Sequence, residues 1–249
     1  MRILIADDNE QFCQNVADIL KVAGYEVAIA HDGREAVEMV KQNGFALALL
    51  DVKMPVMNGV ETFKKVRRIA PHIPVIMVTA YTVENLLREA LREGAYGYLR
   101  KPLDFEQLFR IINQATSNKM SILVVDDDKD ICANLKEILS DSGYQVCTAY
   151  DGKAAIEQTR TNNFDVVILD MKSPVLNGLE TYLSIRDFRP TLISIMMTGY
   201  PHKISKLIYK AREESVYACL EKPLNIDELI SLLNRIQEQK TNGTLKKSE

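Results

Sequence analysis

Short apolar runs alternate along the chain with longer stretches whose apolar residues recur at helical spacing. The apolar runs of the first half predict strands at residues 3–6, 27–30, 46–50, 75–78 and 96–99. The amphipathic stretches predict helices at residues 10–22, 34–43, 59–70, 82–93 and 104–115. Because the strands are apolar throughout, both of their faces should be buried. Their alternation with helices indicates a parallel, doubly wound α/β sheet.

The same pattern occurs twice, at an offset of 119 residues. The residues that recur without a gap include Asp7-Asp8, Asp51, Asn58-Gly59 and Thr79, which return as Asp126-Asp127, Asp170, Asn177-Gly178 and Thr198. A repeat of this length is a complete domain and not a solenoid module. We therefore predict one domain at residues 1–118, a second at 119–240 with its last helix at 225–239, and a polar tail at 241–249.

Composition excludes several classes of protein. With 47% hydrophobic and 26% charged residues and no apolar run of membrane-spanning length, the chain is expected to be soluble, without a membrane partner. The amino terminus has no apolar signal core, which favours a cytoplasmic location. A net charge of -3 provides no basic footprint, so no nucleic-acid partner is expected. The four cysteines form no CxxC pair, which argues against zinc and disulfides.

Polar residues follow the predicted strands where a parallel sheet binds its ligands. Asp7-Asp8 follow the first strand, Asp51 and Thr79 end the third and fourth, and Lys101 follows the fifth. The second copy has Asp126, Asp127, Asp170, Thr198 and Lys222 at the matching places. Crowded carboxylates need a cation among them, and ligand sets made only of oxygen suit Mg²⁺.

These residues are the parts that phosphoryl transfer needs. Asp51 would be the nucleophile, with Mg²⁺ and Lys101 offsetting the charge of the phosphoryl group and Thr79 donating its hydroxyl to it. Each residue alone also has an ordinary structural explanation, as a helix cap, a strand residue or a loop residue. The recurrence of the whole set in both halves favours the functional interpretation.

The motifs Ile-Leu-Ile-Ala-Asp7-Asp8, Leu-Leu-Asp51-Val-Lys-Met-Pro55, Val-Thr79-Ala and Arg-Lys101-Pro102 resemble the signature of bacterial response regulator receiver domains. The resemblance covers nearly the whole chain twice and implies two flavodoxin-like (βα)5 domains in tandem. It implies phosphorylation of Asp51 and Asp170 by a phosphohistidine of a sensor histidine kinase or a histidine phosphotransfer protein. It also implies two Mg²⁺ sites, formed by the acidic pairs Asp7-Asp8 and Asp126-Asp127, the acceptors Asp51 and Asp170, and the backbone carbonyls of Lys53 and Lys172.

The same resemblance implies a conformational output. Thr79 and Thr198 would move toward the phosphoryl group and let an aromatic residue three positions before the lysine turn inward. That residue is Tyr98 in the first copy, but Cys219 takes its place in the second. Output through the second copy is therefore in doubt. The expected output is contact with an unknown downstream protein or with a second copy in a homodimer formed on phosphorylation, or onward phosphotransfer in a phosphorelay.

Two other functions compete with this interpretation. A phosphatase of the haloacid-dehalogenase type would also use a strand-end Asp, Mg²⁺, Thr and Lys. That family requires a second Asp two residues after the nucleophile, where this chain has Lys53 and Lys172. Alternatively, one or both copies are protein-interaction domains that are not phosphorylated. The chain is not expected to be a turnover enzyme, because a receiver catalyses only its own phosphorylation and dephosphorylation.

Overall fold

A computed structural model describes residues 1–42, 44–80, 84–172, 177–199 and 216–241. The chain divides into two compact units between Ser117 and Asn118. Each unit contains one five-stranded parallel sheet, and the helices of the described residues lie between its strands and after the last one. The predicted α/β fold class is confirmed for both halves. The predicted tail, apart from Thr241, lies outside the described residues.

The first unit alternates strands and helices in the predicted order. Its strands are β1 (Arg2–Ala6), β2 (Glu26–Ala30), β3 (Leu47–Asp51), β4 (Val75–Thr79) and β5 (Gly97–Arg100). Its helices are α1 (Glu10–Val22), α2 (Gly33–Gln42), α3 (Gly59–Ile69), α4 (Glu84–Arg92) and α5 (Phe105–Ala115). The start predicted for the fourth helix, at residue 82, falls outside the described residues.

The sheet of the first unit has the order β2-β1-β3-β4-β5, and the pairing of every strand is parallel. All five residues of β3 and of β4 are buried, because helices cover both faces of the sheet. The strand order reverses between β1 and β3. Ligands of such sheets bind at this reversal, beyond the carboxyl ends of the strands.

The second unit repeats this topology. Its strands are β6 (Ser121–Val125), β7 (Gln145–Ala149), β8 (Val166–Asp170), β9 (Ile193–Thr198) and β10 (Ala218–Glu221). Its described helices are α6 (Lys129–Asp141), α7 (Gly152–Thr161), α8 (Gly178–Arg186) and α9 (Ile226–Thr241). The order β7-β6-β8-β9-β10 matches the first sheet strand for strand.

N-cap residues fix where the helices begin after the strand-end loops. Asn58 accepts a hydrogen bond from the Glu61 backbone N–H and starts α3 directly after the loop that follows β3. Asn177 does the same for α8, where Glu180 completes a capping box. Asp104 lies inside the predicted fifth helix but is its N-cap, so α5 begins one residue later than predicted. The caps therefore hold the helix starts against the ends of the strands.

Candidate functional site

The carboxyl ends of β1, β3, β4 and β5 bring the predicted residues of the first unit to one cleft of about 360 Å³. Its lining includes Asp7, Asp8, Asp51, Lys53, Thr79 and Lys101. Asp7, Asp51 and Thr79 are buried, whereas Asp8 and Lys53 are exposed at the rim. Six residues selected from the sequence thus line a single cleft.

Asp51 is held from two sides. Its Oδ1 lies 2.7 Å from the Lys101 Nζ, and its Oδ2 accepts a hydrogen bond of 2.7 Å from the Lys53 backbone N–H. The same ammonium lies 2.5 Å from Oδ2 of Asp7. A single cation therefore joins two buried carboxylates from different strands.

Burial raises the pKa of the Asp51 carboxyl above its usual value, and this effect outweighs the hydrogen bond and charge of Lys101. For Lys101, burial acts to lower the pKa, but hydrogen bonds and charges from Asp51 and Asp7 outweigh it and raise the pKa. The lysine therefore stays protonated at neutral pH. The Asp51 carboxylate is an anion that further positive charge would stabilise.

Thr79 is buried at the end of β4, where it lines the cleft. Its hydroxyl donates a hydrogen bond of 2.8 Å to the carbonyl oxygen of Ala80, the next residue. Both residues line the cleft that contains Asp51. Because a hydroxyl can rotate to suit its acceptor, the Thr79 hydroxyl can turn from this backbone oxygen toward an anion in the cleft.

The second unit reproduces the arrangement. Lys222 Nζ lies 2.8 Å from Oδ1 of Asp170 and 2.6 Å from Oδ2 of Asp126. The Lys172 backbone N–H donates to Asp170 Oδ2 at 2.8 Å. Asp127 is exposed at the rim and Thr198 is buried, as their counterparts are in the first unit. Hydrogen bonds and charges from Asp126 and Asp170 raise the pKa of Lys222 against the opposing effect of burial.

The donor atoms suit a hard divalent cation. Asp126, Asp127 and Asp170 each offer a carboxylate oxygen, and these three oxygens lie within 4.8 Å of one another. In the first unit, Asp7, Asp8 and Asp51 line one cleft, and the Lys101 ammonium lies 2.5 Å from Oδ2 of Asp7. Carboxylates and a backbone carbonyl are ligands that Mg²⁺ accepts, so the residues fit the predicted ion.

The two predicted switch positions differ in their surroundings. Tyr98 is buried, with the Arg100 guanidinium 5.7 Å from its ring centroid and Arg100 Nη2 3.4 Å from its hydroxyl. Cys219 is half-buried and packs at the edge of the core of the second unit. The aromatic ring of the first unit is therefore buried, whereas the thiol at the equivalent position of the second unit is only half-buried.

Three residues of the site were not assigned a role from the sequence. The Phe12 ring lies 4.4 Å from the Lys101 Nζ and covers the ammonium from α1. Gly59 and Gly178 follow the N-caps of α3 and α8, and a Cβ on them would lie 2.0 Å and 2.4 Å from the carbonyl oxygens of Asp51 and Asp170. The Asn-Gly pairs recur in the repeat, which is the signal that could have identified both glycines.

Two buried cysteines lie directly behind the acidic pairs. Cys13 Sγ donates to the Asp7 carbonyl and Cys132 Sγ to the Asp126 carbonyl, both at 3.4 Å. Burial, aided by the nearby acidic charge, raises the pKa of Cys13 to about 12 and that of Cys132 to about 11. The folded protein therefore keeps both thiols protonated, whereas the unfolded chain releases their protons near the ordinary cysteine pKa of 9.0. The free energy of unfolding should therefore fall as the pH rises above that value.

We expect Cys13 and Cys132 to resist iodoacetamide at pH 8 in the folded protein, while the half-buried Cys147 and Cys219 are alkylated. Peptide mass mapping after timed labelling measures this, with labelling in urea as the control in which all four react. Labelling of Cys13 in native buffer as fast as Cys147 would contradict the expectation.

His31 and His72 are exposed, and His202 lies outside the described residues. Among the described residues, no helix is long and apolar enough to cross a membrane.

Comparison with known proteins gives a consistent result. A family model described as the response regulator receiver domain matches residues 3–113 and again residues 122–234. A response regulator receiver protein from Anaeromyxobacter sp. (strain Fw109-5) is 30% identical over 241 residues, which are 96% of each chain. The transcriptional regulatory protein ZraR of Escherichia coli (strain K12) is 41% identical over 120 residues, 48% of this chain and 27% of that protein. A solved receiver domain structure from Clostridium thermocellum covers 46% of this chain and 93% of its own at 32% identity, with a TM-score of 0.45.

Proposed function

Because the chain belongs to the family of response regulator receiver domains and so to two-component signalling, we propose that Asp51 and Asp170 each accept a phosphoryl group. The donor would be a phosphohistidine on a sensor histidine kinase or a histidine phosphotransfer protein. One observation carries this proposal. In both units the strand-end aspartate is buried between a lysine ammonium and a backbone N–H, and in the first unit it lines an open cleft.

The residues of the chain would perform the transfer as follows. An oxygen of the Asp51 carboxylate attacks the phosphorus atom, the P–N bond to the donor imidazole breaks, and the imidazole takes up the electron pair. Lys101 remains protonated and offsets the charge that passes to the phosphoryl oxygens. The Thr79 hydroxyl turns from the Ala80 carbonyl to donate to one of these oxygens. Asp170, Lys222 and Thr198 act in the same way in the second unit.

Mg²⁺ is the proposed cofactor of both sites. Asp7, Asp8, Asp51 and the Lys53 backbone carbonyl would hold it in the first unit. Asp126, Asp127, Asp170 and the Lys172 carbonyl would hold it in the second. When bound, the ion neutralises the acidic cluster and part of the phosphoryl charge. Its role is supported by the spacing of the acidic oxygens in the second unit and by the three carboxylates that line the cleft of the first.

Output is proposed to occur by protein contact, either with a downstream protein or with a second copy in a phosphorylation-dependent homodimer. Movement of Thr79 toward the phosphoryl group would be transmitted to Tyr98 on the neighbouring strand β5. The second unit lacks an aromatic ring at this position, so its output would depend on another residue. Neither unit is proposed to release a product in repeated turnover beyond hydrolysis of its own aspartyl phosphate.

The experiment is incubation of the full chain with Mg²⁺ and acetyl phosphate, followed by intact mass measurement. We expect two phosphoryl additions on the wild type, one on Asp51→Asn, one on Asp170→Asn and none on the double variant. EDTA should abolish both additions, because the acidic cluster then lacks its counter-charge. A single addition would mark the unmodified unit as an interaction domain, and no addition in any sample would favour that function for both.

A further inference from the structure

A second concave surface of the first unit lies away from the phosphoryl site, between α2 and α3, and measures about 450 Å³. Val37, Met57 and Ile69 form its apolar part, and Ile69 is 41% exposed although it is a large aliphatic side chain. Exposed apolar surface in a concave site is a feature of binding sites. We call this surface the α2–α3 groove.

Basic residues surround the apolar part of the groove. Arg34 and Lys41 line it from α2, and Lys65 and Arg68 line it from α3. Its one acidic residue, Glu38, lies 2.6 Å from Lys41 and neutralises that cation. Among the described residues, the side chains of Arg34, Lys65 and Arg68 have no ion pair with an acidic group. The groove is therefore cationic in a chain whose net charge is -3.

The second unit lacks both the exposed apolar side chain and the basic α3 residues of the groove at the equivalent positions. Ser184 and Asp187 replace Lys65 and Arg68, so the α8 side is no longer basic. Phe188, the counterpart of Ile69, is buried at 4% exposure. Arg189 is also buried, and its Nε donates a hydrogen bond of 3.0 Å to the Thr159 carbonyl of α7, whereas the first unit has only Ala70 there. The second unit thus joins its two helices where the first leaves an open cationic groove.

We propose that the α2–α3 groove of the first unit binds an acidic segment of a partner protein, with a large apolar side chain seated against Val37 and Ile69. Carboxylates on either side of that side chain would pair with Arg34, Lys65 and Arg68. Charge complementarity identifies the occupant, because three cations without partners surround an apolar centre. The apolar centre favours a protein segment over a simple anion. This binding site is separate from the phosphoryl cleft and does not depend on phosphorylation.

The test uses the full chain and a fluorescent synthetic peptide in which glutamates flank a central Leu-Leu pair, with binding followed by anisotropy at low ionic strength. The decisive variant, Lys65→Ser with Arg68→Asp, installs the residues that the second unit has at these positions. We expect its Kd to rise by about tenfold, since it removes two rim charges and adds an opposing one. Both residues are exposed, so the circular dichroism spectrum should stay unchanged.

A charge-matched control is Lys21→Ser with Arg110→Asp, on the exposed faces of α1 and α5. This variant should change the Kd less than twofold, and a peptide with lysines in place of glutamates should not bind. Ile69→Ser should also weaken binding, because it removes the apolar contact. Equal weakening by the control variant would reduce the effect to net charge and overturn the proposal. Displacement of the peptide by inorganic phosphate would instead assign the groove to a small anion. A wild-type dimer that is lost only in Lys65→Ser with Arg68→Asp would assign it to a second copy of the chain.

Discussion

Lys101→Met is expected to slow phosphorylation of Asp51 by about 10²–10³-fold, the usual cost of removing one preorganised charge from a transferring group. Lys101 is the cation that lies within 2.7 Å of Asp51, and its ammonium is largely enclosed by Asp7, Asp51 and the Phe12 ring. Methionine keeps most of the aliphatic stem but carries no charge. The measurement is a time course with Mg²⁺ and acetyl phosphate, with the two halves resolved by peptide mass mapping.

The second unit serves as the control within the same molecule. Phosphorylation of Asp170 should proceed at the wild-type rate in Lys101→Met. In Lys222→Met, phosphorylation should be slowed at Asp170 and should proceed at the wild-type rate at Asp51. An unchanged rate at Asp51, in a variant that urea unfolding shows to be folded, would contradict the role assigned to the ammonium. Slower phosphorylation of both Asp51 and Asp170 in one variant would instead indicate a defect of the whole protein and not of one site.

Gly59→Ala is expected to destabilise the first unit by about 3 kcal/mol or more and to remove phosphorylation at Asp51. A Cβ at this position would lie 2.0 Å from the carbonyl oxygen of Asp51 and 2.9 Å from its carbonyl carbon. Both are backbone atoms of the strand that carries the acceptor, so the clash cannot be relieved by a side-chain rotation. Either α3 or the end of β3 must move. Urea unfolding and the acetyl phosphate assay measure the two effects.

Gly44→Ala is the matched control, because no atom of the described residues beyond its chain neighbours lies within 4 Å of the Cβ that it would add. It should change neither stability nor phosphorylation appreciably. Gly178→Ala should affect the second unit in the same sense but less severely, since its Cβ would lie 2.4 Å from the Asp170 carbonyl oxygen. Wild-type phosphorylation of Asp51 in Gly59→Ala would show that the loop tolerates displacement and that the close approach is not required.

The two units share their chemical groups but differ in the surfaces that surround them. The distances from each lysine to its two carboxylates agree within 0.1 Å between the units. By contrast, Tyr98 is replaced by Cys219, and the cationic groove of the first unit has no basic counterpart on α8. We infer that both units accept the same chemical group, whereas their partners differ.

The sequence alone was enough to predict the strands, the two domains and the strand-end residues of the candidate site. The apolar runs identify the strands, because a parallel sheet covered by helices must bury both faces. The repeat identifies two domains, and the family signature identifies the strand-end residues. Parallel strands end at a common edge, so residues far apart in sequence could be placed in one cleft without coordinates. Within the described residues, the predicted helices and strands of the first unit differ from the structure at their boundaries, such as Asp104, which is a cap and not the first helical residue.

Only the tertiary structure decided distances, burial and the shape of the surface. One ammonium contacts Asp7 and Asp51 together because β1 and β3 are neighbours in the sheet, a pairing that apolar periodicity does not encode. The close approach of Gly59 to Asp51 likewise depends on how α3 packs against the end of β3. The α2–α3 groove is open in the first unit because small Ala70 lies where Arg189 joins the helices of the second. These features arise from contacts between distant parts of the chain, which local patterns of residues do not specify.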